Sequence, residues 1–268
     1  MLSQALKNKW MLVAKTLPFV IAALLIRFVI SNILHVNLTL KFAELAPVLT
    51  GIALILGLML TGVLADYREA EKLPAVVARS LNDLDGLSRR GLSRIGQDAK
   101  WAHERVLALT ETVNDWFYGR VSSDEMWVAH SDMGELILDL HKEGVPDLYL
   151  HRLMRVNSDG GGALSRIEVI RNTDFISAGY ALMELLVAGV VMSLTVVQFP
   201  SSTIGYSICA ALTLIYTYLV LLTKDVDNPF GHGDRDGKGS AVDVDLAPFH
   251  RTLHKLRSAK VLRAEINS

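Results

Sequence analysis

The sequence predicts an all-α integral membrane protein with four spans and a helical cytoplasmic domain, on three observations. The 268 residues are 51% hydrophobic yet 21% charged, with a mean hydropathy of +0.32, so apolar and charged residues are segregated along the chain, as spans and soluble parts require. Four stretches are long and apolar enough to cross a hydrocarbon core, which takes about 20 residues of helix. Between them, apolar residues recur at helical spacing, and no segment alternates as a strand does.

The chain opens with Lys7, Lys9 and Lys15 ahead of an apolar stretch, a pattern shared with secretory signals. Arg27 interrupts the run and no small-residue cleavage site follows, so residues 1–16 are expected to be a cytoplasmic segment and 17–40 a retained first span. Residues 45–65, uncharged throughout, form the second span. Residues 176–197 form the third, with Glu184 as their one charge, and 199–223 the fourth. The single cysteine, Cys209, lies inside this last run, which excludes an intrachain disulfide and suits a small packing residue.

Lys and Arg set the expected orientation. Only Lys41 lies between the first two spans and none lies in 198–202, whereas residues 66–175 hold fourteen and the stretch from 224 onward holds eight. By the positive-inside rule both termini and the middle region are expected to be cytoplasmic. A net charge of -1 provides no basic field, so no nucleic-acid partner is expected.

The middle region, 66–175, reads as helices. Residues 66–92 continue from the second span as one long helix, 101–117 repeat the pattern, and Ser122-Ser-Asp-Glu125 opens a third helix that Gly144-Val-Pro146 closes. A fourth begins at Leu148 and is expected to break at Asp159-Gly-Gly-Gly162, a flexible turn. Residues 224–268 form an acidic loop and a tail helix.

Chemistry-bearing positions are few. Thr50, Leu54 and Leu58 stand at i, i+4, i+8 and share one face of the second span. Arg27 and Glu184, the ionisable residues deepest in their spans, are expected to neutralise each other across the first and third helices, the other reading being that Arg27 snorkels to an interface. After the fourth span, Asp225 through Gly239 combines carboxylates with glycine, and His232-x-Asp234-x-Asp236-Gly237 resembles the middle of a calcium loop. A solvated acidic linker is the alternative. His250-x-x-x-His254 lacks a third ligand and reads as an amphipathic tail. No nucleophile and base stand together, and no enzyme is expected.

Three stretches resemble the bestrophin family in its bacterial branch. Pro47-Val-Leu-Thr-Gly-Ile-Ala-Leu-Ile-Leu-Gly57 through Tyr67-Arg-Glu-Ala-Glu-Lys-Leu-Pro74 is similar to the family's apolar neck helix and the R-W-W-E-A-R-K-L-like segment after it. Arg166-Ile-Glu-Val-Ile-Arg-Asn-Thr-Asp174 resembles its E-R-I-x-x-T run, and Asp227-Asn-Pro-Phe-Gly231 with Asp245-Leu-Ala-Pro248 its N-P-F-G and D-L-P-L pair. The resemblance implies a homopentamer around one axial pore that conducts small ions, anions such as chloride in animal members and cations in some bacterial ones. It places Thr50, Leu54 and Leu58 at the neck constriction, a hydrophobic gate, and Val145 at a second, cytoplasmic aperture. It also makes Ca²⁺ a candidate cofactor, with Asn228, Asp234 and Asp236 as ligands. The expected partners are membrane lipid, further copies of the chain and the permeant ions. The aromatic pair of the exit segment is absent here, the matching stretch being Asp66-Tyr-Arg-Glu69. That departure keeps open a second reading, a non-conducting scaffold or sensor whose cytoplasmic helices bind a partner protein.

Overall fold

The computed structural model describes residues 2–33, 41–172, 177–227, 229–230 and 243–266. Among these residues it contains nine helices: α1 (Leu2–Asn32), α2 (Phe42–Ala70), α3 (Leu73–Arg94), α4 (Lys100–Phe117), α5 (Ser123–Lys142), α6 (Asp147–Asn172), α7 (Ser177–Val196), α8 (Ser202–Asp227) and α9 (Ala247–Ile266). Four of them, α1, α2, α7 and α8, are long and apolar enough to cross a membrane. The chain forms two compact units, one built from residues 1–67 and 174–228, the other from 68–173 with the segment after α8 and the C-terminal helix.

In the membrane unit each helix buries one stripe. On α2 it is Leu45, Leu49, Ile52 and Leu56, with Val63 two turns on; on α7 Met183, Val187, Val190 and Leu194, with Val197 just past its end; and on α1 Leu12, Thr16, Val20, Ala23 and Arg27. These spacings of three and four residues keep one face of each helix inward. Tyr216 of α8 adds a directed bond, its hydroxyl donating to Leu49 O at 2.7 Å. Lipid leaves helices little hydrophobic reason to associate, so close packing and such polar bonds hold them together.

In the second unit α3 is the central helix, burying Leu73, Val77, Leu81, Leu84 and Leu92. Each fully buried leucine is worth about 2 kcal/mol. Residues 66–92 are not one helix: α2 ends at Ala70, and α3 restarts with Pro74 in its first turn. Proline has no N–H to bond backward and disfavours helical backbone at the residue before it, so it opens a helix more readily than it continues one. The reverse correction applies at Asp159-Gly-Gly-Gly162, where α6 runs through without a break. A Cβ on Gly160 would stand 3.0 Å from Ser80 Cβ, and one on Gly161 would stand 2.9 Å from the His130 ring. These glycines let α3 and a side chain of α5 approach the α6 backbone, and the packing gained offsets their weak helix propensity. The start of α5 is as the sequence predicts, with Ser122 and Glu125 forming a reciprocal capping box.

The motifs behind the family resemblance act as joints within this unit. Glu69, in the last turn of α2, takes both arms of Arg166 from α6 at 2.8 Å each. Hydrogen bonding from Arg166 holds the Glu69 carboxyl below the usual glutamate range. Phe230 of the N-P-F-G run is buried and stacks on Phe117, and Phe249, just after Leu246-Ala-Pro248, meets Phe117 edge-on. Val244 N donates to Pro229 O, pinning together the two ends of the segment between them.

Candidate functional site: the outward face of α2

Opposite its buried stripe, α2 presents Pro47, Thr50, Gly51, Leu54, Gly57, Leu58 and Thr61, all exposed on the protomer. Leu54 and Leu58 are each 65% exposed. The hydroxyls beside them are internally satisfied, Thr50 donating to Ala46 O at 3.0 Å and Thr61 to Gly57 O at 2.8 Å. The face thus has an apolar middle of two leucines between two hydroxyl-bearing turns. It carries no ionised group. Thr61 was not singled out from the sequence, although its place one turn after Leu58 was a signal for it.

The arginine and glutamate of the membrane unit do not pair, which corrects the expectation. Arg27 is only 8% exposed, and its Nη1 donates to Leu194 O at 2.6 Å and to Val197 O at 3.3 Å. Phe199 and Tyr206 lie against the guanidinium, their ring centroids 4.9 and 5.6 Å from Cζ. A cation suits this place because the last carbonyls of α7 have no partners within their own helix and carry the negative end of its dipole. Glu184 lies ten residues earlier on α7, about 15 Å along the axis, and pairs instead with Lys224 of α8. The positions gave a usable signal: in adjacent antiparallel helices, a residue near the start of one meets a residue near the end of the other.

Val145 is also corrected. Its side chain is 3% exposed, and its Cγ1 fills the space beside Gly91 of α3, 2.7 Å from where a Cβ there would stand. A residue lining an aperture must face solvent, and this one is part of the core. The expected calcium ligands Asn228, Asp234 and Asp236 lie outside the described residues. Among the described residues no group of three His, Cys, Asp or Glu side chains is gathered as a metal site would need. His250 stacks on Tyr118, whose hydroxyl stands 3.2 Å from its Nε2, while His254 faces Ser258.

No family model and no curated protein matches the chain. Solved structures do. Two mutant structures of a bacterial bestrophin homologue from Klebsiella pneumoniae superpose with TM-scores of 0.75 and 0.74, at 15% and 14% identity, covering 91% of this chain and 98% and 97% of theirs. A structure described only as a membrane protein superposes at 0.71 and 15% identity, covering 91% of this chain and 97% of its own. The chain has the bacterial bestrophin fold over nearly its whole length.

Proposed function

We propose that the protein is a passive ion channel, a homo-oligomer in which the outward faces of several α2 helices surround one axial pore. The observation that carries this reading is the composition of that face. Lipid-facing helix surfaces are bulky, as on α1, where Trp10, Phe19, Ile21, Leu25 and Phe28 are all exposed. The α2 face instead alternates glycine, threonine and proline with two leucines, a surface suited to water or close helix neighbours. In a ring of copies, Leu54 and Leu58 would form an apolar constriction that stops ions when it dewets, and the hydroxyls of Thr50 and Thr61 would wet both approaches to it. An apolar ring discriminates by dehydration rather than by charge sign.

The bacterial bestrophin fold supports this reading, and the family resemblance adds five-fold symmetry. The distribution of Lys and Arg favours cytoplasmic termini. Purified protein in planar bilayers tests it. Leu54→Ala with Leu58→Ala should raise the current roughly tenfold, as taking about 1.4 kcal/mol off a barrier does, while Leu25→Ala with Phe28→Ala should leave it unchanged. A silent bilayer for both the parent and the widened variant would favour a scaffold.

A further inference from the structure

The second unit contains a concavity that conduction through α2 does not use. Asn82, Arg89, Arg90 and Arg94 share one face of α3, and with Tyr149 of α6 and Lys255 of α9 they line a cavity of about 800 Å³. The lining holds four cations and no carboxylate. Arg89 is compensated from α3 itself, its guanidinium 2.6 Å from Asp85 Oδ2. The other three meet only neutral groups or none among the described residues. Arg90 Nε donates to Gly86 O at 2.9 Å and Lys255 Nζ to Asn82 Oδ1 at 2.7 Å, while Arg94 has no acidic partner.

Three uncompensated positive charges on a concave wall repel one another and raise the local concentration of anions. The cavity is in the size range of small-molecule sites. Guanidinium forks match oxyanions in geometry and bind them with paired, charge-assisted bonds. Arg90 and Arg94 stand one turn apart, about 6 Å along the axis, a separation that suits neighbouring phosphate groups better than a lone halide. The Tyr149 ring adds a flat apolar wall for whatever carries the phosphates.

We propose that this cavity binds a phosphate-bearing polyanion, with Arg90, Arg94 and Lys255 as its direct ligands and Arg89, held by Asp85, as a fixed fourth charge. The site is independent of whether α2 lines a pore. Two sources share this chemistry, a soluble polyphosphate and the headgroup of an anionic phospholipid. The test is calorimetric titration of the full chain in nanodiscs, at constant ionic strength, with inorganic pyrophosphate in one arm and a water-soluble short-chain phosphatidic acid in the other.

Saturable binding of either probe is expected, and the tighter probe identifies the source. Arg90→Gln with Arg94→Gln should weaken it about tenfold or more, as loss of charge-assisted bonds does. Lys255→Gln, made from a different helix, should weaken it as well, while Arg105→Gln, whose side chain pairs with Asp139, should not. The altered arginines are exposed, so the variants are expected to melt with the parent. Absence of saturable binding in both arms, unchanged affinity in a double variant that melts normally, or equal displacement by chloride would each overturn the proposal.

Discussion

Gly160 and Gly161 of α6 and Gly51 and Gly57 of α2 occupy opposite settings. On α6, Gly160 and Gly161 are small because Ser80 and His130 take up the space a side chain would fill, and in the membrane unit Gly205 likewise makes room for Arg27. On α2, Gly51 and Gly57 have nothing within 4 Å of where a Cβ would be. A glycine in mid-helix costs about 1 kcal/mol relative to alanine, and at Gly160, Gly161 and Gly205 the packing explains why it is there. At Gly51 and Gly57 the protomer holds no such explanation, as it holds none at Gly134, Gly162 and Gly189; what sets α2 apart is that its two open glycines share one exposed face with Leu54 and Leu58. The exposed face of α1 lacks this property, being bulky where it meets its surroundings.

The comparison can be broken by filling each glycine in turn. Gly205→Val should be the most damaging, since a Cβ would stand 2.5 Å from Arg27 Nη2 and 3.0 Å from the Phe199 ring. Forcing Arg27 off the α7 carbonyls combines overpacking with lost charge-assisted bonds, about 3 kcal/mol or more, and should appear as loss of folded protein on size exclusion in detergent. Gly160→Val should cost about 2 kcal/mol, read as a lower thermal midpoint, because Ser80 belongs to a packed helix and yields little. Gly57→Val should leave the protomer's melting within about 0.5 kcal/mol of the parent while changing conductance or assembly. If it melts as Gly160→Val does, the face of α2 is packed within the protomer and the comparison fails.

The smallest effect is a pH dependence at the filled glycines. Burial beside Gly161 and Trp127 holds the His130 imidazole below its ordinary 6.5. The unfolded chain therefore takes up this proton at a higher pH than the folded one. The stability contributed by a neutral His130 is complete above about 6.5 and declines as pH falls through and below that value. Thermal midpoints measured from pH 8 to 5 should show this slope, and His130→Gln should flatten it. An unchanged slope in the variant would assign the effect to another group.

Much of the fold was legible in the sequence, because hydropathy and helical period are properties of contiguous residues. The existence of four apolar helices and the start of α5 at Ser122 and Glu125 follow from side chains a few positions apart, whereas the restart at Pro74 was missed, residues 66–92 having been expected to form one helix. Thr50, Leu54 and Leu58 repeat every four residues, but any apolar helix has such a face, and it was the family resemblance that singled this one out. Glycine was ambiguous at this level: Asp159-Gly-Gly-Gly162 has the composition of a turn, and only the neighbours Ser80 and His130 explain a helix there. Val145 was placed by analogy of position, which carries no information about burial.

The sequence by itself determined that the fold is all-α and that four of its segments suit a membrane. Tertiary structure decided the pairings: Arg27 with the end of α7, Glu184 with Lys224, Glu69 with Arg166, and the gathering of Arg90, Arg94 and Lys255 around one cavity. The physical reason is that a helix's own geometry is set by bonds four residues apart, whereas a charge is satisfied by whatever the order and direction of the helices bring beside it.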